Sequence, residues 1–153
     1  MDIATLEAQE AHLVLPRFDE GIVLEIGMAL VALGRSRNHP ILIDIRTPQW
    51  TMFRAALPGA NVLNDRWVRR KSNTVFLFGC SSLMMGTRLR EKGETLARHG
   101  CQPEDFAENG GSFPLRVADA GVLAAVTVSG LPQVDDHALV VEALGQIVNS
   151  AAG

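Results

Sequence analysis

At 153 residues, with 47% hydrophobic and 20% charged residues, the chain has the length of one ordinary domain and ample material for a buried core. Its net charge of -3 argues against a general nucleic-acid binder, which needs a basic footprint to displace counterions from phosphates. Cys80 and Cys101 make neither a zinc set nor a disulfide framework, and they read as free thiols in a reducing cytoplasm.

The first twelve residues hold Asp2, Glu7 and Glu10 without a basic cluster, so they lack the start of a secretory signal and predict a cytoplasmic protein. Asp2 to Ala11 predicts a short helix, which Pro16 keeps from continuing. The next helix has a better start: Asp19 is placed to cap it, and Phe18 and Val23 have the spacing of a hydrophobic staple. Ile22, Ile26, Leu30 and Leu33 mark one face. Val23, Leu24, Met28 and Val31 make the rest apolar as well, which predicts burial on two sides before Gly34 ends the helix. Glu25 interrupts the run from Gly21 to Gly34, which is shorter than the roughly 20 apolar residues that cross a bilayer, so no membrane span is predicted.

Pro40 opens a strand over Ile41 to Arg46, with Ile41, Ile43 and Ile45 facing one way and Leu42, Asp44 and Arg46 the other. Asp44 and Arg46 are placed for a same-face pair. Gln49 to Leu57 predicts an antiparallel partner strand. From Asn64 the period becomes helical through Trp67, Lys71, Val75 and Phe78, with Asn64 or Asp65 as the cap. Ser81 or Ser82 caps a further helix to about Glu91, and Pro103 to Glu108 suits one helical turn. Phe113 to Val117 and Val122 to Val128 are strands joined by a hairpin turn at Asp119 to Gly121. In the last helix Asp135 is placed as the cap, with Val134 and Leu139 at staple spacing. Helices before, between and after antiparallel strand pairs predict an α+β layered domain, its sheet of about 4-5 strands covered on both faces. No linker or internal repeat divides residues 1-153, and the apolar balance predicts a homo-oligomer.

Gly110-Gly-Ser-Phe-Pro-Leu, Val128-Ser-Gly-Leu-Pro-Gln and Asp135-Asp-His, with Asp65-Arg-Trp-Val-Arg-Arg-Lys-Ser-Asn-Thr-Val and Phe53-Arg-Ala-Ala-Leu, resemble the UPF0303 proteins. These are similar to the wider haem-degrading domain family once called DUF336. The resemblance spans about Phe18 to the end. It implies a profilin-like three-layer α/β/α fold, oligomeric assembly and a cytoplasmic setting, with haem binding or degradation in some relatives. His137 stands where many haem-associated relatives have an acidic residue after Asp136, which departs from their haem-site pattern. Because axial ligation differs between branches of the family, the resemblance transfers no iron ligand by position.

Three groups are candidates for a ligand site. Asp136 and His137 lie at a helix start, where free amide hydrogens and the dipole favour anions and a neutral imidazole; a structural or interface histidine is the competing reading. Arg70 and Lys71 belong to a basic patch around Trp67 that could hold propionates, phosphates or a partner's carboxylates, or be a solvated or intersubunit face. Gly110, Gly111 and Ser112 could present amides to an anion, though two glycines before a strand also make a tight turn. No nucleophile elbow surrounds Ser81, Ser82, Ser112 or Ser129, and the four histidines lack metal-binding spacing, so no reaction and no metal are assigned. Two functions remain: a module binding or degrading haem or a related tetrapyrrole, or binding a similar small anionic ligand, and a non-catalytic oligomeric interaction protein.

Overall fold

The computed structural model describes residues 1–152. The first helix, α1 (Ile3–His12), is capped by the Asp2 carboxylate, which accepts from the Thr5 amide, and α2 (Glu20–Ser36) by Asp19, which accepts from the Ile22 amide. Strands β1 (Leu42–Arg46) and β2 (Thr51–Ala56) form the first hairpin. Two helices follow, α3 (Val62–Phe78) and α4 (Ser82–Lys92), then a 3₁₀ turn at Leu96–His99. The second hairpin is β3 (Ser112–Val117) with β4 (Gly121–Ser129), and α5 (Gln133–Ala152) closes the chain.

The four strands pair antiparallel in the order β2-β1-β4-β3, so each hairpin contributes one central and one outer strand. One sheet face carries Ile41, Ile43, Ile45, Phe113, Leu115, Val126 and Val128 and is buried under α2 and α5. The other lies under α3 and is polar. Asp44 pairs in register with Thr127, and Thr127 with Ser112, all three fully buried. The α+β expectation of helices on both faces of an antiparallel sheet holds, with four strands.

The polar face follows from period-two alternation through Leu42, Asp44 and Arg46, whose polar members need partners once buried. Arg46 donates to Asp44 at 2.7 and 2.9 Å, and Arg54, opposite Asp44 on β2, donates at 3.0 Å while reaching Asp65 on α3. A second apolar cluster, around Leu6, Leu83, Met84, Leu89 and Leu96, sits where α1 packs on α4. Glu10 joins it to the sheet by accepting from the Ser81 amide and pairing with Arg116, both at 3.0 Å.

Four expectations need correction. The α3 cap is Asn61, whose side chain accepts from the Leu63 amide while Asn64 accepts from the Asn61 amide in a capping box. Exposed Val62 and Leu63 hid this turn from a reading based on apolar period. Pro103 to Glu108 forms a turn and loop, because Arg70, Arg69 and Asn73 of α3 take the carbonyls of Pro103, Glu104 and Asp105 that a helical turn would have used. The final helix begins at Gln133, so Asp135 lies inside its first turn, exposed and without a side-chain hydrogen bond among the described residues. With Val134 42% exposed, no staple forms there. Finally, Leu24 and Met28 of α2 are more than half exposed, so this chain covers only one side of that helix.

Candidate functional site

The site lies where the polar sheet face meets the first turn of α5. Lys71, on α3, points its ammonium between strand and helix; Nζ donates to Asp136 Oδ2 at 3.0 Å and to the Val128 carbonyl at 3.3 Å. The side chains are 4% and 2% exposed. Asp136 also accepts from the Leu131 amide at 2.9 Å through Oδ1, so one carboxylate fixes the Gly130-Leu131 turn and neutralises the lysine. Burial pulls Lys71 below its ordinary pKa against the opposing pull of Asp136, and raises that of Asp136 against the opposing pull of Lys71. Both shifts favour uncharged partners, which narrows the gap between the ammonium-carboxylate and amine-acid forms.

Lys71 and Asp136 line a cleft of about 310 Å³ together with Trp67, Asn64, Asn109 and Gln133. Ser129 and the Gly130-Leu131 turn complete it, and Asn64 donates to the Ser129 hydroxyl at 3.3 Å. The lining is rich in neutral amides and holds one charge of each sign.

Gly110 and Gly111 allow this closeness. A Cβ on Gly110 would stand 2.6 Å from the Gln133 carbonyl oxygen. On Gly111, whose φ is +135°, it would stand 2.5 Å from the Val128 carbonyl oxygen and 2.7 Å from Lys71 Nζ. The Gly110 amide donates to the Gln133 side chain at 2.9 Å. The glycine pair thus sits directly behind the lysine.

The other candidate residues point elsewhere. Ser112 is fully buried beside the cleft; its amide donates to Ser82 Oγ at 3.1 Å and its hydroxyl pairs with Thr127 at 2.9 Å. The Arg70 guanidinium stacks 4.4 Å over Trp67 and donates to the Pro103 carbonyl at 2.7 Å, on the wall of a neighbouring cavity of about 320 Å³ that shares Asn109 with the cleft. With Arg69 paired to Asp105 at 2.6 Å, much of the basic patch is spent within the chain, on its own 103-105 loop. His137, next to Asp136, is 1% exposed and turned toward α1, where Nε2 meets Gln9 Oε1 at 2.7 Å and the ring lies 5.9 Å from Phe113. Burial first, and the positive amino terminus second, lower its pKa to about 4. A neutral ring donating from Nε2 to Gln9 leaves Nδ1 as the bare nitrogen, and Nδ1 has no partner among the described residues.

Sequence reasoning missed Asn109, Gln133 and Ser129. Ser129 and Gln133 lie in the motif Val128 to Gln133 that carries the family resemblance but were assigned no role, and Asn109 is a single polar loop residue that nothing in its spacing marks. Among the described residues no group of three His, Cys, Asp or Glu side chains is placed to hold a metal ion.

A family model described as "Haem degrading protein HbpS-like" matches residues 18–145. The chain belongs to this family. A UPF0303 protein of Streptomyces coelicolor is 46% identical over 147 residues, which cover 95% of this chain and 93% of that protein. Among solved structures, the HbpS-like chain is similar to Ybr137w, with a TM-score of 0.90 and 26% identity, over 100% of this chain and 91% of that one. A PduOC:heme complex shares the fold, with a TM-score of 0.69 and 15% identity, over 86% and 94%.

Proposed function

We propose that this chain is a one-domain small-ligand-binding module whose ligand sits over Trp67, Lys71 and Asp136. The buried Lys71-Asp136 pair on the cleft wall carries this reading. Replacing a buried ion pair with apolar residues of similar volume is often neutral or stabilising, so stability alone does not account for charge at this position. The pair stands among the amides of Asn64, Asn109 and Gln133, a set of convergent polar groups that can orient one ligand.

The same pair narrows the ligand class. Lys71 is already neutralised by Asp136, so the cleft offers hydrogen bonds rather than a free cation. A polar ligand, neutral or weakly charged, suits it better than a strongly anionic one.

Haem is the ligand that the family description and the heme-bound PduOC structure bring forward. Haem iron is held by His, Cys, Met or Tyr, and none of these lines the cleft. His137 is engaged with Gln9 on the far side of Asp136, and Cys101, on the neighbouring cavity, is a buried thiol whose pKa burial raises. The cleft of this chain therefore does not fit an iron-ligated haem.

Parallel titrations with hemin and iron-free protoporphyrin test that conclusion: the two should behave alike, and a stoichiometric Soret shift with hemin alone would overturn it. A thermal-shift survey of small hydroxylated and carbonyl compounds tests the module itself. At least one should raise the Tm of the protein and leave Lys71→Gln unmoved. If none does, the non-catalytic interaction reading takes over, which the exposed Leu24, Met28, Val62 and Leu63 favour.

A further inference from the structure

The chain contains twelve arginines and two lysines, Lys71 and Lys92. Arginine serves its other ion pairs, including those that hold the buried carboxylate of Asp44. Among the described residues, only at Asp136 is the partner a lysine. The distinction is chemical, because a guanidinium stays protonated in proteins whereas an ammonium can lose its proton and become a nucleophile when buried.

The surroundings suit that chemistry. Lys71 is on the wall of a cleft large enough for a small molecule, with an acid-base group 3.0 Å from its nitrogen. The missing Cβ of Gly111 lets Nζ approach the chain there, where a Cβ would stand 2.7 Å from it. Neutral amides of Asn64, Asn109 and Gln133 can hold the hydroxyl or amide groups of a bound molecule without protonating the lysine. Burial supports the same end, since it favours the amine-acid form of the pair.

We propose that Lys71 forms an imine with a small polar aldehyde or ketone bound in the cleft, with Asp136 as its proton shuttle. This rests on the cleft being a ligand site. The Lys71 amine adds to the carbonyl carbon while the Asp136 carboxyl gives its proton to the carbonyl oxygen, forming a carbinolamine. Asp136 then takes a proton from the nitrogen and returns one to the hydroxyl, which leaves as water when the carbon-nitrogen double bond forms. One water is released and the product is a protonated imine facing the Asp136 carboxylate; counted from the ammonium-carboxylate pair, the lysine nitrogen has lost two hydrogens and Asp136 ends as it began. No electron is transferred.

Lys92 supplies an internal comparison, because it is exposed near the end of α4. The intact protein is treated at neutral pH with glycolaldehyde and cyanoborohydride, which reduces an imine to a stable amine, and the label is located by peptide mass mapping. Label on Lys71 should exceed that on Lys92, since burial lowers the pKa of Lys71 and so raises its free-amine fraction at neutral pH. Asp136→Asn should cut the Lys71 label although loss of the carboxylate favours the free amine, an outcome that a merely exposed amine would reverse. Circular dichroism confirms that this variant is folded; if it is not, Asp136→Glu replaces it, and retention of selective labelling supports the shuttle. Label spread evenly between the two lysines, or confined to Lys92, overturns the proposal. A thermal-shift measurement with glycolaldehyde alone separates the two readings: a raised Tm without Lys71 label sinks the imine and keeps the binding site, whereas no shift and no label sinks both for this class of ligand.

Discussion

Adjacent residues at the start of α5 differ more in consequence than their chemistry suggests. Asp135 is exposed and its side chain makes no hydrogen bond among the described residues, so Asp135→Ala should change stability by less than about 0.5 kcal/mol. Asp136→Ala strands a buried ammonium and should cost about 3–5 kcal/mol in urea unfolding, while Lys71→Met combined with Asp136→Leu should recover much of that loss. Equal effects of the two single changes would contradict the geometry. His137 sets a pH dependence whose sign follows from its burial. An unfolded histidine protonates near 6.5 and the buried ring only at about 4, so stability is full above 6.5, falls as pH drops toward 4, and levels off below. The loss across that window is about 3 kcal/mol. His137→Leu should flatten this part of the stability profile, and an unchanged slope would show that other groups produce it.

Among the elements, the caps were legible where an acceptor stood directly before an amphipathic run. Asp19 and Ser81 are such cases, each accepting from an amide three residues on. Asn61 was not, because the residues after it are apolar yet exposed, and an apolar-period reading starts such a helix too late. Asn61→Ala should therefore cost about 1 kcal/mol by chemical denaturation, whereas Asp65→Ala should remove only its pairing with Arg54 at the surface. The loop from Pro103 to Asp105 was misread for a related reason. Local sequence favours a helical turn there, but three side chains of α3 compete for its carbonyls, and those partners lie 30 residues away or more.

Across the whole molecule, α2 shows what a single chain leaves open. Its inner face packs on the sheet through Gly27 and Gly34, where a Cβ would stand 2.6 Å from the Phe53 ring and 2.5 Å from Leu57. Its outer face presents Leu24 and Met28 one turn apart, 55% and 53% exposed. The expected assembly is a homo-oligomer using this face. Light scattering at low micromolar concentration should report at least twice 16.5 kDa, and Leu24→Glu with Met28→Glu should lower it. A monomeric wild type would mean that the stripe is simply solvated.

By itself the sequence determined the α+β class, the strand pairs and most helix starts, because alternation, turn residues and caps act over a few neighbouring positions. The motifs around Gly110, Val128 and Asp135 were enough to indicate the family, since they record which residues recur without stating why. Tertiary structure alone decided which of them meet. Lys71 lies 65 residues before Asp136, and only the pairing of β3 with β4, under α3 and beside α5, brings ammonium and carboxylate together behind Gly111. The same packing turned His137 away, because successive residues of a helix point about 100° apart, so Asp136 facing the cleft aims its neighbour at Gln9 and Phe113.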